Sequence, residues 1–285
     1  LFECVVNVAE GRRLDVIDQL RGAAGDPLRD LHVDAVHHRS VFTLIGDEDR
    51  LVAAVRALAT AALTTLDLRT HEGVHPRFGV LDVVPFVALD QRRGDDACAL
   101  RDDTATWLAD TFTLPVFLYG ELSDGTVRSL PEVRRRAFAS LDPDRGPRVP
   151  DPALGASAVG ARGILVAWNL WLQGVTWRDA SRIASGLRRP QVRALAFDMG
   201  DLVQISCNLI DPLAVGPSAI YDEVAALLPR GAIDHAELVG LVPRALLEET
   251  DPDRWAQLGL SEGATIEGRL GSTGLGPSLD RPSPA

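Results

Sequence analysis

Hydrophobic periodicity sets one order of elements along this chain twice: strand, helix, strand, strand, helix, strand. In the first copy, FECVVNV at Phe2 to Val8 is short, β-branched and bounded by Gly11, as a buried strand requires. Leu14, Ile17 and Leu20, with Val16 beside them, recur at helical spacing until Gly25-Asp26-Pro27 stops the pattern. Strands are predicted at Leu31 to Val36 and Ser40 to Ile45. After Asp47-Glu48-Asp49 a helix carries Leu51, Val52, Val55, Leu58 and Leu63 on one face, and a strand follows at Leu81 to Leu89. A helix near Asp95 to Phe112 and a strand at Pro115 to Leu122 extend this half. Leu130 to Gly155, rich in Arg, Pro and Asp, reads as a short helix and an irregular connection.

The second copy runs through Ile164 to Leu172, a helix near Val175 to Leu187, Val192 to Phe197, Leu202 to Ile210, a helix near Ser218 to Leu228, and Glu237 to Leu241. Each copy has the split-βαβ, ferredoxin-like order, in which two helices cover one face of a mixed sheet and leave the other face free. The expected class is therefore α/β (α+β), with two related subdomains. From Gly271 onward Gly, Ser and Pro dominate, and a disordered tail is expected.

Composition narrows the chemistry. All 29 basic residues are arginine, so Schiff-base, P-loop and kinase-type lysine chemistry is excluded. A net charge of −11 argues against a general nucleic-acid surface, and anionic ligands must be met locally. Cys4, Cys98 and Cys207 are odd in number and never in a CxxC pair, as in a reduced cytosolic protein. The residues present begin with no basic and then apolar signal segment. The longest apolar stretch, Gly163 to Leu172, is interrupted by Asn169 and falls short of the roughly 20 residues that cross a bilayer. A soluble, cytoplasmic protein with no membrane partner is expected.

The most polar stretch is THEGVHPRFGVLDVVPF, Thr70 to Phe86. Its HEGVH, His71 to His75, fits the HExxH pattern of zinc peptidases, which works only on a helix, where i and i+4 share a face. Gly73 inside the motif and Pro76 after it oppose a helix, and Phe78 stands where a metzincin has glycine. No metal site is expected. The stretch reads instead as a loop that either delivers an imidazole to a cleft as general base and acid or holds a histidine in a structural hydrogen bond. Asp82 and Asn208, polar residues on apolar strands, are either satisfied in the core or turned to a cleft.

These residues carry a resemblance. HEGVHPRFGVLDVVPF resembles the H-x-G-x-H-P-R-x-G-x-x-D-V-x-P-F signature of the glutamate formiminotransferase family, and ECVVNVAEG at Glu3 to Gly11 resembles its opening E-C-V-P-N-F-S-E-G. VFLYGE at Val116 to Glu121, PDRGP at Pro143 to Pro147, GASAVGARGILVAWN at Gly155 to Asn169, QISCNLID at Gln204 to Asp211 and LVGLVP at Leu238 to Pro243 resemble further runs in the family's order. Val6 stands where the family has proline, His38 where it has asparagine, and Arg135-Arg136-Ala137 where a Gly-Glu pair is common.

The resemblance implies a folate-dependent transferase of histidine degradation and one-carbon metabolism. It would move a formimino group from N-formimino-L-glutamate to the co-substrate tetrahydrofolate. Residues 1–163 and 164–270 would form the two subdomains, with 271–285 as the tail, and their sheets would flank a folate-binding groove, usually in a homodimer. His75 would be the catalytic base, and Gly146, Pro147 and Gly155 would bound the folate-binding segment. Both substrates carry carboxylates, so Arg39, Arg77 and Arg162 are expected anion contacts, the alternative for each being a structural ion pair. Two other readings stay open: a paralogue using another one-carbon donor such as 5-formyltetrahydrofolate, and a folate-binding protein without catalysis.

Overall fold

The computed structural model describes residues 1–271, and within it the chain divides after Gly163 into two compact units. The first unit opens with β1 (Phe2–Val8), α1 (Leu14–Ala24), β2 (Leu28–Asp34), β3 (Arg39–Gly46), α2 (Glu48–Thr65) and β4 (Leu81–Ala88). Strict alternation in β1 sends Phe2, Cys4, Val6 and Val8 into one core. Helix α2 begins where the Asp47 carboxylate accepts the Arg50 N–H, and it buries Leu51, Val55, Leu58, Ala62 and Leu63 at helical spacing. Both helices pack on the face that β1 and β3 supply with Phe2, Phe42 and Leu44.

Three further strands widen this sheet: β5 (Val116–Glu121), β6 (Val127–Arg128) and β7 (Ser157–Ala161), after α3 (Gly94–Phe112) and around α4 (Leu130–Arg136). The seven-stranded order is β2-β3-β1-β4-β7-β5-β6. Strand β7 pairs in parallel with β4 and β5 and is buried along its whole length. No strand is predicted there from sequence, because SAVGA offers five small residues and little periodicity. Gly160 is required at its centre, since a Cβ would lie 2.1 Å from the Tyr119 ring. Strand β2 also differs from expectation. It ends at Asp34, and residues 35–38 form a turn instead of continuing the strand.

The second unit contains β8 (Val166–Leu172), α5 (Trp177–Leu187), β9 (Val192–Asp198), β10 (Val203–Leu209), α6 (Pro217–Ala225), β11 (Ile233–Val239), α7 (Arg244–Glu248) and α8 (Ile266–Gly271). Its sheet order, β11-β8-β10-β9, repeats β4-β1-β3-β2 of the first unit. The expected mixed sheet holds for the first unit only. In the second, every neighbouring pair is antiparallel, because β10 lies between the parallel strands β8 and β9 and separates them. Trp168 is fully buried here and donates its indole N–H to the Leu258 carbonyl at 2.8 Å. Gly271, expected to begin the tail, closes α8; the rest of that segment lies outside the described residues. Among the described residues, no helix is long and apolar enough to cross a membrane.

Candidate functional site

Two loops at one end of the first sheet meet to form a small concavity lined by Ala9, His37, His38, Arg39, His71, His75, Arg77 and Asp82. The first is the tight turn between β2 and β3. There the Asp34 carboxylate accepts the Val36 and His37 N–H groups at 2.8 and 2.7 Å, an Asx turn, and His38 takes a left-handed φ of 53°. The second is the connection from α2 to β4, which holds HEGVH in non-helical conformation. The two loops touch at Gly73, where a Cβ would lie 2.4 Å from the His37 carbonyl oxygen.

Four of the chain's six histidines converge here. His71 Nε2–H donates to the His38 carbonyl at 2.8 Å, and the two rings stack with centroids 4.0 Å apart. His38 in turn accepts the Gly11 N–H at Nδ1, 3.0 Å away. Burial, and next the neighbouring His71, pushes the His38 imidazole down to about 4. Burial also lowers His71, and Arg77 adds to that effect. Beneath them Glu10 is fully buried, and its Oε1 accepts the Gly11, Arg12 and Arg13 N–H groups. Burial alone would raise this carboxyl, but the Arg13 and Arg12 hydrogen bonds outweigh it and hold it below its usual range.

His75, half-buried, sits among charges. Arg39 Nη1 donates to its Nε2 at 3.0 Å, and the His37 ring meets it edge-on at 5.5 Å. Burial, then Arg39, His37 and Arg134, pushes the imidazole down to about 2, so the ring is neutral throughout the range in which proteins work. A guanidinium only donates, so Nε2 is the lone-pair nitrogen and Nδ1 carries the proton.

The loop is braced from behind by Asp82. This buried carboxylate accepts the Phe78 N–H at 2.5 Å and Arg134 Nη2 at 2.6 Å. Arg134 also reaches the Pro76 carbonyl and lies 5.8 Å from the Phe78 ring centre. Asp82 is thus satisfied in the core and lines the concavity at once, whereas Asn208 is exposed on β10. Arg77 donates to the His71 carbonyl.

The other expected contacts lie elsewhere in the unit. Arg162 is not among the lining residues; it donates to the Gly163 carbonyl at 2.9 Å and faces Tyr119 and Glu3. Burial pushes the Glu3 carboxyl up to about 7 despite that guanidinium. Gly146, beside half-buried Pro147, has a φ of 77° and backs onto the Leu114 carbonyl, which a Cβ would meet at 2.2 Å. Gly155 backs onto Phe78 and Gly79 in the same way. Packing of the chain on itself therefore accounts for both glycines. Gly155 is bridged to Gly79, which ties the 146–155 segment to the strand entry that follows His75.

Arg134, Glu10 and His37 were not singled out from sequence. Arg134 meets Asp82 from 52 residues away, and no local pattern links them. Glu10 carried a signal, standing just before Gly11 and a helix start, where a carboxylate gathers orphan N–H groups.

Comparison with known proteins identifies the family. The profile of the formiminotransferase domain, N-terminal subdomain, matches residues 1–162, more than half of the chain. The chain belongs to the glutamate formimidoyltransferase family. It is 32% identical to the glutamate formimidoyltransferase of Thermoplasma acidophilum, over 95% of this chain and 97% of that protein. It is 30% identical to the glutamate formimidoyltransferase of Streptococcus pyogenes, over 87% and 91%. The formimidoyltransferase-cyclodeaminase of Sus scrofa is 33% identical over 87% of this chain, which spans about half the length of that relative, 51%. As a member of the glutamate formimidoyltransferase family, the chain carries its HEGVHPR run on the loop that closes the concavity.

Proposed function

We propose that this protein transfers the formimino group of N-formimino-L-glutamate to N5 of tetrahydrofolate, with His75 shuttling the proton. N5 attacks the amidine carbon and a C–N bond forms. The N5 proton passes to the imidazole and from it to the glutamate nitrogen, whose bond to carbon then breaks, releasing glutamate and 5-formimino-tetrahydrofolate. An imidazole in this role contributes on the order of 10²- to 10⁴-fold. Fixing both substrates in attack geometry contributes more.

The observation that carries the reading is His75 itself, a neutral ring on a braced loop, with its lone-pair nitrogen toward the guanidinium of Arg39. Arg39 and Arg77 supply the cations that substrate carboxylates call for. Gly146, Pro147 and Gly155 bound the segment assigned to folate, and Arg162 serves as a separate cation for an anionic part of the ligand. A second reading, transfer from another one-carbon donor such as 5-formyltetrahydrofolate, draws support from His38. This ring lines the concavity at the position where the family has asparagine. The test is incubation of the purified protein with N-formimino-L-glutamate and tetrahydrofolate, and separately with 5-formyltetrahydrofolate and glutamate. Formation of 5-formimino-tetrahydrofolate supports the first reading. Formyl transfer alone favours the second, and saturable folate binding with no transfer from any donor contradicts both.

A further inference from the structure

The hydrogen bond that places His75 also blocks it. A general base must offer its lone pair, and in this ring the pair lies on Nε2, where Arg39 donates at 3.0 Å. The opposite nitrogen, Nδ1, is buried. Proton transfer through this imidazole therefore requires Arg39 to leave Nε2.

The groups facing His75 determine what can draw it away. His37 approaches from the β2–β3 turn, His71 and Arg77 from its own loop, Arg134 from α4 and Asp82 from β4. Asp82 is the one carboxylate among the lining residues, and it is held by Arg134 and the Phe78 N–H. Asp34, near His37, is held by two backbone N–H groups of its turn. Arg77 and Arg134 are tied to the His71 and Pro76 carbonyls. Arg39 is the cation that touches the reactive nitrogen, and a carboxylate outcompetes an imidazole lone pair for a guanidinium because the pairing is charge-assisted and bidentate.

We infer that Arg39 is a substrate-operated gate: a substrate carboxylate engages its guanidinium, draws it off Nε2 of His75 and frees the lone pair for the proton of the attacking amine. The inference rests on the reading of His75 as proton shuttle and adds that the shuttle is armed by binding. Such coupling lets the carboxylate that anchors the substrate also switch on the base. The ring's lowered proton affinity agrees with this, since Arg39 is, after burial, the largest cause of it. The carboxylate has two possible sources, the amino-acid donor and the glutamate tail of the folate.

The test is ¹⁵N NMR of the imidazoles in the full chain at neutral pH, with His75 assigned by its loss in His75→Gln. Spectra are taken alone and with glutarate, p-aminobenzoyl-glutamate or a tail-free tetrahydropterin. One of the two carboxylate probes is expected to move the Nε2 signal toward that of an uncommitted lone pair, and which one does so names the source. The tail-free pterin is expected to leave it in place. In Arg39→Gln the signal should be displaced before any probe is added and should not respond to one, and binding of the effective probe should weaken about 10- to 100-fold. An Nε2 signal that neither carboxylate moves in the natural protein overturns the gate, even if Arg39→Gln fails to fold. So does an Arg39→Gln protein that responds as the natural one does. These readouts are independent of turnover. A working gate without formimino transfer would refute the proposed reaction alone, and transfer without a gate would refute the gate alone.

Discussion

The two units share one frame and differ in what hangs from it. Both order their first four strands as β4-β1-β3-β2 or its equivalent, and in both the helices that connect those strands pack on one sheet face, joined in the first unit by α3. In the first unit the turn between the second and third strands carries His37 and His38, and a long α2–β4 connection carries His71, His75 and Arg77. The corresponding places in the second unit are the short turn at Met199 to Leu202 and the connection at 226–232, and neither contains a histidine. The same topology thus supports a charged, histidine-lined concavity in one copy and plain connections in the other. Function resides in the loops that a rigid sheet positions, and not in the fold.

The largest expected effect is on turnover. His75→Ala should lower the rate about 100- to 10,000-fold while folate still binds by calorimetry, because proton transfer is lost and the frame is kept. Turnover like that of the natural protein would place the chemistry elsewhere.

Next come the two polar strand residues that look alike in sequence. Asp82→Ala strands the Arg134 cation and the Phe78 N–H and should cost about 3 kcal/mol in urea unfolding, at the lower end for a broken buried pair because Arg134 is partly exposed. Asn208→Ala, at an exposed place in the second unit, should fall within about 0.5 kcal/mol of the natural chain. Equal costs would erase the distinction drawn between the units.

Gly73→Ala should destabilise by roughly 1–3 kcal/mol, because the added methyl meets the His37 carbonyl and forces the two loops apart. Turnover in this variant should fall along with stability.

The last effect concerns acid. His38 and His75 have native values of about 4 and about 2 against an ordinary 6.5, so the unfolded chain binds more protons than the native one below that value. Their contribution to stability is complete above pH 6.5 and is lost progressively as the pH falls toward 4 and below. Glu3, raised from 4.5 to about 7, acts with the opposite sign. Its contribution is full below 4.5 and is lost as the pH rises through about 7. The second unit's buried Cys207 is pushed up to about 12 and does not titrate in this window. Hydrogen exchange at pH 7 and pH 5 should therefore weaken the β2–β3 turn and the His71–His75 loop more than the strands around Cys207. His38→Asn should reduce the difference.

Much of this frame is readable from the residues alone, for identifiable reasons. Strand β1 and helix α2 declare themselves through alternation and a seven-residue buried stripe. Strand β7 does not, because a central parallel strand of small residues lacks both bulk and period. The C-terminal end of β2 is misread because Ala35 and Val36 continue the apolar run, while the Asx turn at Asp34 overrides it. At the site, HEGVH is legible as a polar loop before a strand, whereas Arg39 is named only through the family resemblance and opens β3. The brace is not, because Asp82 and Arg134 become neighbours only through the fold. Gly146 and Gly155 are named through the family resemblance, and their positions bring them against the chain's own backbone at Leu114 and Phe78.

The most direct measurement is the rate at which 5-formimino-tetrahydrofolate forms from N-formimino-L-glutamate and tetrahydrofolate, for the natural protein and for His75→Ala at matched folate occupancy. The account predicts steady product formation by the first and a loss of at least about 100-fold in the second. Equal rates, or no product from the natural protein at high concentration, would contradict it.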